Sequence, residues 1–317
     1  MVVAFAVPSS LGDARVFQSR LRGGAMAPRD RPAASSSTPE VTLVVPCYNE
    51  ASRIRAEDFL AFARGSGGRT RLLFVDDGSA DATLAILEDM RSKCPEGVSV
   101  LALPRNVGKA EAVRVGMLAG CDDGSSFVGF WDADLATPLD HVAMFRDVFI
   151  DHPEVDMVFG ARVGLLGRRI RRSMRRHYLG RVFATLASTA LGMGVYDTQC
   201  GAKLFRVDRH GELRAVLGAP FETRWVFDCE MIGRYAALRR WGRVGRGDGR
   251  TAPGLDPSRS ADASASVASS VYEYPLHRWE DVAGSKVRMS DVVKMAWGLV
   301  MIRRRYFGST PWPPVEG

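Results

Sequence analysis

The sequence lacks the spacing patterns that mark several common kinds of site. No GxGxxG follows the first predicted strand, so a dinucleotide-binding fold is disfavoured, and no GxxxxGK(S/T) occurs, which excludes an ordinary P-loop. No CxxC pair occurs either, which argues against a disulfide framework or a zinc site and favours a reducing, cytosol-facing location. The five scattered cysteines are Cys47, Cys94, Cys121, Cys200 and Cys229.

Long apolar runs are also absent. No segment reaches the roughly 18–20 apolar residues that a helix needs to cross a bilayer. Residues 1–7 are too short and have no preceding basic residue, and residues 292–302 are short but are followed by three arginines at 303–305. We expect a chain that does not span a membrane by itself, but whose final helix can lie on one.

Charge is concentrated in one part of an otherwise ordinary composition. Of 317 residues, 46% are hydrophobic and 25% are charged, and the formal net charge of +7 favours an anionic partner. We predict a basic helix over residues 168–190, with no acidic residue between 168 and 181. Its arginines are Arg168, Arg169, Arg171, Arg172, Arg175, Arg176 and Arg181.

Three partners could explain the basic helix: solvent, nucleic acid or an anionic membrane surface. Nucleic acid is disfavoured because no interleaved aromatic platform or known reader module accompanies the arginines. A basic helix beside apolar residues, in a chain without a membrane span, favours the membrane surface. The final helix suits the same surface, although it could instead pack in the core with a solvated end.

Changes in composition divide the chain into parts. Residues 1–40 are rich in Ala, Ser, Pro and Arg and are interpreted as a disordered tail or a targeting segment. Residues 41–240 and 271–290 form the predicted globular domain. Residues 243–270 have almost no large apolar side chains and are predicted to be a disordered insertion. Residues 289–307 form the predicted final amphipathic helix.

Strands and helices alternate through the globular part. The apolar runs VTLVVP, RLLFVDD, VSVLAL and SFVGFWDAD are each followed by a helix-like segment, which is the pattern of a parallel α/β sheet. Short, continuously apolar strands are typical of a sheet that is covered on both faces. We therefore predict an α/β fold with a mostly parallel central sheet flanked by helices.

Polar side chains cluster where the predicted strands end. In an open parallel sheet the ligand lies beyond the carboxyl ends of the strands, so these groups predict one shared site. They are Tyr48, Asn49 and Glu50 after the first strand, Asp76 and Asp77 after the second, Asn106 and Lys109 after the third, and Asp132 and Asp134 after the fourth.

Asp132 and Asp134 predict a divalent-metal site. Residues i and i+2 of an extended segment face the same way, so both carboxylates can converge on one cation. Mg²⁺ or Mn²⁺ is typically held by one or two carboxylates together with phosphate oxygens of a substrate. The alternative is a strand-end turn in which Asp134 caps a helix, and the DDGS segment at 76–79 is likewise good turn chemistry.

Seven motifs in order carry a more specific resemblance. They are VVPCYNEASRI, FVDDGSADAT, NVGKAEAV, DADLATP, DTQCGAKLF, FDCEMI and HRWEDVAGSKV. Together they resemble the inverting family-2 glycosyltransferases of the GT-A fold, and within these most closely the dolichyl-phosphate (or polyprenyl-phosphate) β-glucosyltransferases. The first four motifs are shared by the whole superfamily, whereas DTQCGAKLF and the last motif favour the glucosyl branch.

The resemblance implies a donor site for UDP-glucose. Asp132 and Asp134 would hold a divalent metal, Mg²⁺ or Mn²⁺, on the UDP diphosphate, and Asp132 would thereby also bind the donor. Lys109 would lie on the nucleotide side, unless it is simply solvated on a helix surface. The uridine pocket would be formed by Pro46, Tyr48, Glu50, Asp76 and Asp77.

The resemblance also implies an acceptor site for dolichyl or polyprenyl phosphate. Such a phosphate is largely ionised near pH 7, because its second pKa is about 6, and it needs no strong general base. A sugar hydroxyl would need one, and Asp228 or Glu230 would then be the first candidates. With Asp132 and Asp134, Arg162 is expected to be catalytic, and the clamp on the acceptor phosphate would be Arg162, Arg172, Arg175 and Lys203.

These inferences predict an enzyme that transfers glucose from UDP-glucose to dolichyl phosphate with inversion, for lipid-linked oligosaccharide synthesis and protein N-glycosylation. Its expected place is the cytosolic face of a membrane, that of the endoplasmic reticulum in a eukaryote or the inner membrane in a bacterium. A mannosyl or polysaccharide-building member of the same family remains open, as do a nucleotidyltransferase with a similar acid–metal site and a noncatalytic sugar-nucleotide-binding scaffold.

Overall fold

The computed structural model describes residues 38–171, 174–207, 212–241, 260–280 and 289–309, together with Trp312. The side chains of residues 174–177, 241, 260–263 and 289–290 are outside this description. The predicted tail up to residue 37 and the predicted insertion up to residue 259 lie outside the described residues.

Within the described ranges, nine strands form two sheets. The central sheet contains β1 (Val41–Cys47), β2 (Thr70–Asp76), β3 (Val98–Ala102), β4 (Phe127–Trp131), β5 (Met157–Ala161), β7 (Ala202–Arg206) and β8 (Val271–Pro275). Their order is β3-β2-β1-β4-β7-β5-β8. A small second sheet pairs β6 (Arg169–Arg171) in parallel with β9 (Arg278–Glu280).

The direction of β7 brings a distant motif to the functional edge of the central sheet. The other six strands run parallel, whereas β7 is antiparallel to both of its neighbours, β4 and β5. Its beginning therefore lies beside the carboxyl end of β4, with Trp131 opposite Ala202. The segment before β7, DTQCG, consequently lies at the edge where the other strands end.

Helices cover both faces of the central sheet. One face packs against α1 (Ala56–Gly65), α2 (Thr83–Lys93) and α4 (His141–Asp151). The apolar core on the other face includes residues of α3 (Lys109–Asp122), α5 (Met174–Leu191), α6 (Glu212–Leu217), α7 (Phe227–Trp241), α8 (Ser260–Ala268) and α9 (Met289–Tyr306). Helices α8 and α9 both pack on α7. The predicted α/β fold, with a mostly parallel sheet between helices, is confirmed.

Two predicted boundaries are wrong. The basic helix begins at Met174 rather than at residue 168, because residues 169–171 form β6, where the side chain of Ile170 packs into the core between exposed arginines. The predicted insertion ends by residue 260, where α8 begins. Helix α8 packs against α7 and buries Val267. Hydrogen bonds also hold it, from Arg239 to the carbonyl oxygen of Ser266 and from Ser264 to the carbonyl oxygen of Leu191.

Helices α5 and α9 pack against each other and also carry apolar residues that face outward. On α9, Leu299, Ile302 and Tyr306 are buried, whereas Val293 is 72% exposed and Trp297 is 59% exposed. The exposed apolar residues of α5 are Tyr178, Leu179, Val182 and Leu186. No helix in the described part of the chain is long and apolar enough to cross a bilayer.

Candidate active site

A cavity of about 570 Å³ opens at the edge of the sheet where the parallel strands end. Its size is typical of a site for a small-molecule ligand. Seven of the nine side chains predicted from the strand ends line it, namely Tyr48, Glu50, Asp77, Asn106, Lys109, Asp132 and Asp134. Pro46 and Arg162, which the resemblance implies, line it as well.

Strand order distributes these groups along the edge. Asp77 follows β2, Asp132 follows β4 and Arg162 follows β5, and the order β2-β1-β4-β7-β5 places Asp132 between the other two. Neighbouring strands are about 4.8 Å apart, so each interval of two strands spans about 10 Å. The edge therefore offers a carboxylate at one end, the acid pair in the middle and a guanidinium at the other end.

The acid pair is partly buried in the cavity. Burial raises the pKa of Asp134, and the negative charge of Asp132 adds to that rise. Asp134 accepts a hydrogen bond from the amide of Ala136 at 3.0 Å, so it closes a turn within its own loop and does not cap the next helix, which begins at His141. Leu135, which lies between Asp134 and Ala136, has φ of 53°, a strained conformation for a side chain of this size.

Lys109 pairs directly with Asp132 of the acid pair. Its Nζ lies 2.5 Å from Oδ1 of Asp132, while the side chain, in the first turn of α3, stays 46% exposed. Desolvation acts to lower the pKa of Lys109, but the charge of Asp132, its hydrogen bond to Lys109 and the charges of Asp228 and Asp134 together outweigh it, so the pKa is raised. Lys109 therefore stays protonated at neutral pH and partly neutralises Asp132.

A glycine makes room for the Asp132 carboxylate. The amide of Asp132 donates a hydrogen bond of 2.8 Å to the carbonyl oxygen of Gly201, at the start of β7. A Cβ at position 201 would overlap the carboxylate of Asp132. The glycine of the DTQCG motif thus shapes the predicted metal site from a neighbouring strand.

Of the two adjacent acids at 76–77, only Asp77 lines the cavity. Its carboxylate accepts hydrogen bonds from Asn106 Nδ2 and from the amides of Val107 and Gly108, so it holds the loop before α3. Burial raises the pKa of Asp77, and these hydrogen bonds oppose the rise. Asp76 is buried beneath the turn, accepts from the amide of Ser79 and is not in the lining, so its predicted place in a uridine pocket is wrong.

Arg162 is held in a fixed orientation at the far end of the edge. Its Nε and Nη2 donate to the two carboxylate oxygens of Asp197 at 2.6 and 2.7 Å, and the guanidinium lies 5.3 Å from the centre of the Trp279 ring. Of the other predicted clamp residues, Arg172 lies outside the described residues. Arg175 belongs to α5, but its side chain is outside the description.

The prediction that Lys203 binds an acceptor phosphate is wrong. Lys203 lies within β7, where its side chain is fully buried between the rings of Phe130 and Phe159. Its Nζ is 2.6 Å from Oδ1 of Asp228 and donates to the carbonyl oxygen of Cys200 at 2.6 Å. A phosphate outside the protein cannot reach it, and Lys203 instead supports Asp228, which lines the cavity.

The structure separates the two alternative bases. Asp228 lines the cavity at the start of α7. Glu230 is fully buried and accepts hydrogen bonds from the amides of Glu222 and Thr223, from the hydroxyl of Tyr306 and from Arg234. Glu230 therefore has a structural role and is not available as a base.

Some residues that line the cavity do not directly follow a predicted strand, so the positions of the strand ends could not predict them. Arg53 pairs with Glu50 three residues earlier, and Gln199 belongs to the segment that the direction of β7 brings in. The others, Arg224, Trp225 and Trp279, come from the loop before α7 and from β9. Only packing between distant parts of the chain places them here.

Comparison with known proteins identifies the family. The family model described as "Glycosyl transferase family 2" matches residues 42–213, which extend from the second residue of β1 beyond the end of β7 and include both acids of the pair. The chain belongs to glycosyl transferase family 2. The GT-A-type resemblance that its motifs carry is thereby confirmed, and the enzyme is a glycosyltransferase.

Among its relatives, this family 2 glycosyl transferase is similar to two proteins named dolichyl-phosphate beta-glucosyltransferase. One, from Trichomonas vaginalis, is 28% identical over 289 residues, which are 88% of this chain and 74% of the relative. The other, from Saccharomyces cerevisiae, is 28% identical over 285 residues, which are 84% and 75% of the two chains.

A solved structure shows the same fold. Glucosyl-3-phosphoglycerate synthase from Mycobacterium tuberculosis, in complex with Mn²⁺ and UDP-glucose, superimposes with a TM-score of 0.55 at 14% identity and covers 97% of this chain and 86% of its own. This likeness of the family 2 glycosyl transferase to a GT-A-type structure concerns the fold alone.

Proposed function

We propose that this enzyme transfers glucose from UDP-glucose to dolichyl phosphate, or another polyprenyl phosphate, with inversion at the sugar carbon. The observation that carries the proposal is the order of groups along one cavity, with Asp77 at one end, the acid pair in the middle and Arg162 at the other end. The names of the relatives supply the sugar and the lipid.

The acid pair fits a divalent cation. Asp132 and Asp134 are hard oxygen ligands that repel each other when both are ionised, and a cation between them would relieve that repulsion. In the described part of the chain, no group of three or more acidic, His or Cys side chains could hold a metal by itself. Phosphate oxygens of the donor would therefore complete the coordination, and when bound the ion would offset charge on the leaving diphosphate.

The residues of the cavity would act mainly by positioning. Arg162, fixed by Asp197, would orient the acceptor phosphate through a guanidinium that suits phosphate geometry. An ionised phosphate is already a nucleophile, so the enzyme has to align two anions and screen their repulsion. The protonated Lys109 would contribute to that screening beside Asp132.

The test is a transfer assay with membranes, Mn²⁺ or Mg²⁺ and labelled UDP-glucose or GDP-mannose in parallel, followed by lipid extraction. We expect label from UDP-glucose in polyprenyl phosphate and none from GDP-mannose. Label in lipid from GDP-mannose alone would favour the mannosyl alternative. Absence of label from both would refute a lipid acceptor.

We also propose that α5 and α9 rest on the cytosolic surface of a membrane, in a eukaryote that of the endoplasmic reticulum. Their outward apolar residues suit the acyl boundary, and the arginines at 303–305 suit anionic headgroups. This placement would bring a lipid-bound phosphate and the cavity to the same surface.

Replacing Trp297 by serine should weaken binding to vesicles that contain anionic lipid by at least about fivefold, because a large exposed apolar side chain would no longer enter the bilayer. Co-sedimentation with vesicles measures the change. Ile150, which is 62% exposed on α4 at the opposite face of the sheet, provides the matched control Ile150→Ser. Equal losses for both variants would contradict this placement.

A further inference from the structure

The cavity is lined by more acids than bases, yet the proposed donor is an anion. Its acids are Glu50, Asp77, Asp132, Asp134 and Asp228, and its bases are Arg53, Lys109, Arg162 and Arg224. A diphosphate that enters such a cavity requires positive charge that the protein has not already neutralised.

Three of the four bases are already paired. Arg53 donates to both carboxylate oxygens of Glu50, and Arg162 does the same to Asp197. Lys109 pairs with Asp132. Arg224 is the exception: it lies near Asp77 and acts on that carboxylate electrostatically, but among the described residues it forms no carboxylate ion pair within 4.0 Å.

Arg224 lies on the nucleotide side of the cavity. A Cβ on Gly108 would come within 3.1 Å of Nε of Arg224, so the guanidinium lies directly against this glycine. The amide of Gly108 donates to Asp77, and the next residue, Lys109, pairs with Asp132. Arg224 is therefore close to the part of the cavity between Asp77 and Asp132 rather than to Arg162.

The loop that carries Arg224 is held in place by hydrogen bonds to a buried carboxylate. The two residues before Arg224, Glu222 and Thr223, donate their backbone amides to the fully buried carboxylate of Glu230 at 3.0 and 2.8 Å. Arg234 and Tyr306 bind the same carboxylate. A fixed loop loses little entropy when its arginine engages a ligand.

We infer that Arg224 binds the diphosphate of the nucleotide-sugar donor, a role that rests on the proposed function of this cavity. A guanidinium can donate two parallel hydrogen bonds to phosphate oxygens. Gly108 permits this placement because it has no side chain and adopts φ of 96°. Arg224 is thus a binding residue for the donor, whereas Arg162 faces the acceptor.

The test compares the affinities of UDP and uridine by isothermal titration calorimetry at fixed Mg²⁺ and fixed ionic strength. Arg224→Gln should weaken binding of UDP about 10- to 100-fold and leave uridine binding unchanged, because only UDP carries the phosphates. Arg224→Lys keeps the charge but cannot donate two parallel hydrogen bonds, so its affinity for UDP should lie between those of the unmodified chain and Arg224→Gln. Arg64→Gln, on the exposed surface of α1, is the matched control for the charge.

The outcomes separate this inference from the proposed function, since neither sugar nor acceptor is present in the titration. Equal UDP affinities of the unmodified chain and Arg224→Gln would overturn the inference alone, as would a variant that binds UDP normally but has a raised KM for polyprenyl phosphate. Failure of the unmodified chain to bind UDP would overturn it together with the UDP donor. Unchanged far-ultraviolet circular dichroism verifies that the variants are folded.

Discussion

Replacing Asp132 by asparagine is expected to lower the rate of glucose transfer by at least about 100-fold, because a charge that stabilises the departing diphosphate is lost. Asp132 lies in the middle of the cavity and contacts both Lys109 and the backbone of Gly201. The measurement is the initial rate of label transfer from UDP-glucose into extractable lipid. Asp151→Asn, at the exposed end of α4, removes the same charge elsewhere and should leave the rate unchanged.

The same carboxylate can be displaced without altering its charge. Gly201→Ala should also lower transfer, because the new methyl group would overlap the Asp132 carboxylate and push it out of position. Gly194→Ala is the matched control, since a Cβ there meets nothing within 4 Å. If Asp132→Asn or Gly201→Ala transferred glucose at the rate of the unmodified chain, Asp132 would not act on the donor.

Replacing Lys203 by methionine is expected to reduce the free energy of unfolding by about 3–5 kcal/mol, because Asp228 would lose the cation that compensates its charge. Lys203 is fully buried and Asp228 nearly so, with 2.6 Å between Nζ and Oδ1. The loss would be a large part of the roughly 5–15 kcal/mol that stabilises a typical domain. Urea titration, followed by circular dichroism, measures the difference.

Two further variants identify the cause of this loss. The double variant Lys203→Met/Asp228→Asn should recover part of the stability, because the unpaired charge is removed with its partner. Lys93→Met breaks a solvent-exposed pair with Asp89 at 2.7 Å and should cost less than about 1 kcal/mol. Similar losses for Lys93→Met and Lys203→Met would show that burial of the pair does not matter.

The fold and much of the lining could be predicted because each rests on local pattern. Short apolar runs that alternate with helical segments indicate a parallel sheet, and polar residues directly after those runs must meet at one edge. Asp77, Asp132 and Asp134 reach the cavity for that reason. Their roles in binding the donor and the metal stay predictions.

The wrong predictions of site residues concern side chains whose positions depend on burial depth or on strand direction. Asp76 and Asp77 are equivalent in sequence, but successive residues of an extended chain point to opposite sides, and only Asp77 faces the cavity. A lysine in DTQCGAKLF could bind phosphate on an exposed strand. In the protein, β7 lies between β4 and β5 beneath α7, so Lys203 meets Asp228 instead.

The strand-end acids, the α/β alternation and the family can all be recognised from the amino-acid sequence, because they depend on residues that are adjacent along the chain. Which acids and bases share a cavity depends instead on how the strands and helices pack. Arg224 reaches Gly108, and Gly201 makes room for Asp132, across intervals of 116 and 69 residues (224 − 108 and 201 − 132). Contacts at such separations depend on strand order and helix packing, which no local pattern encodes.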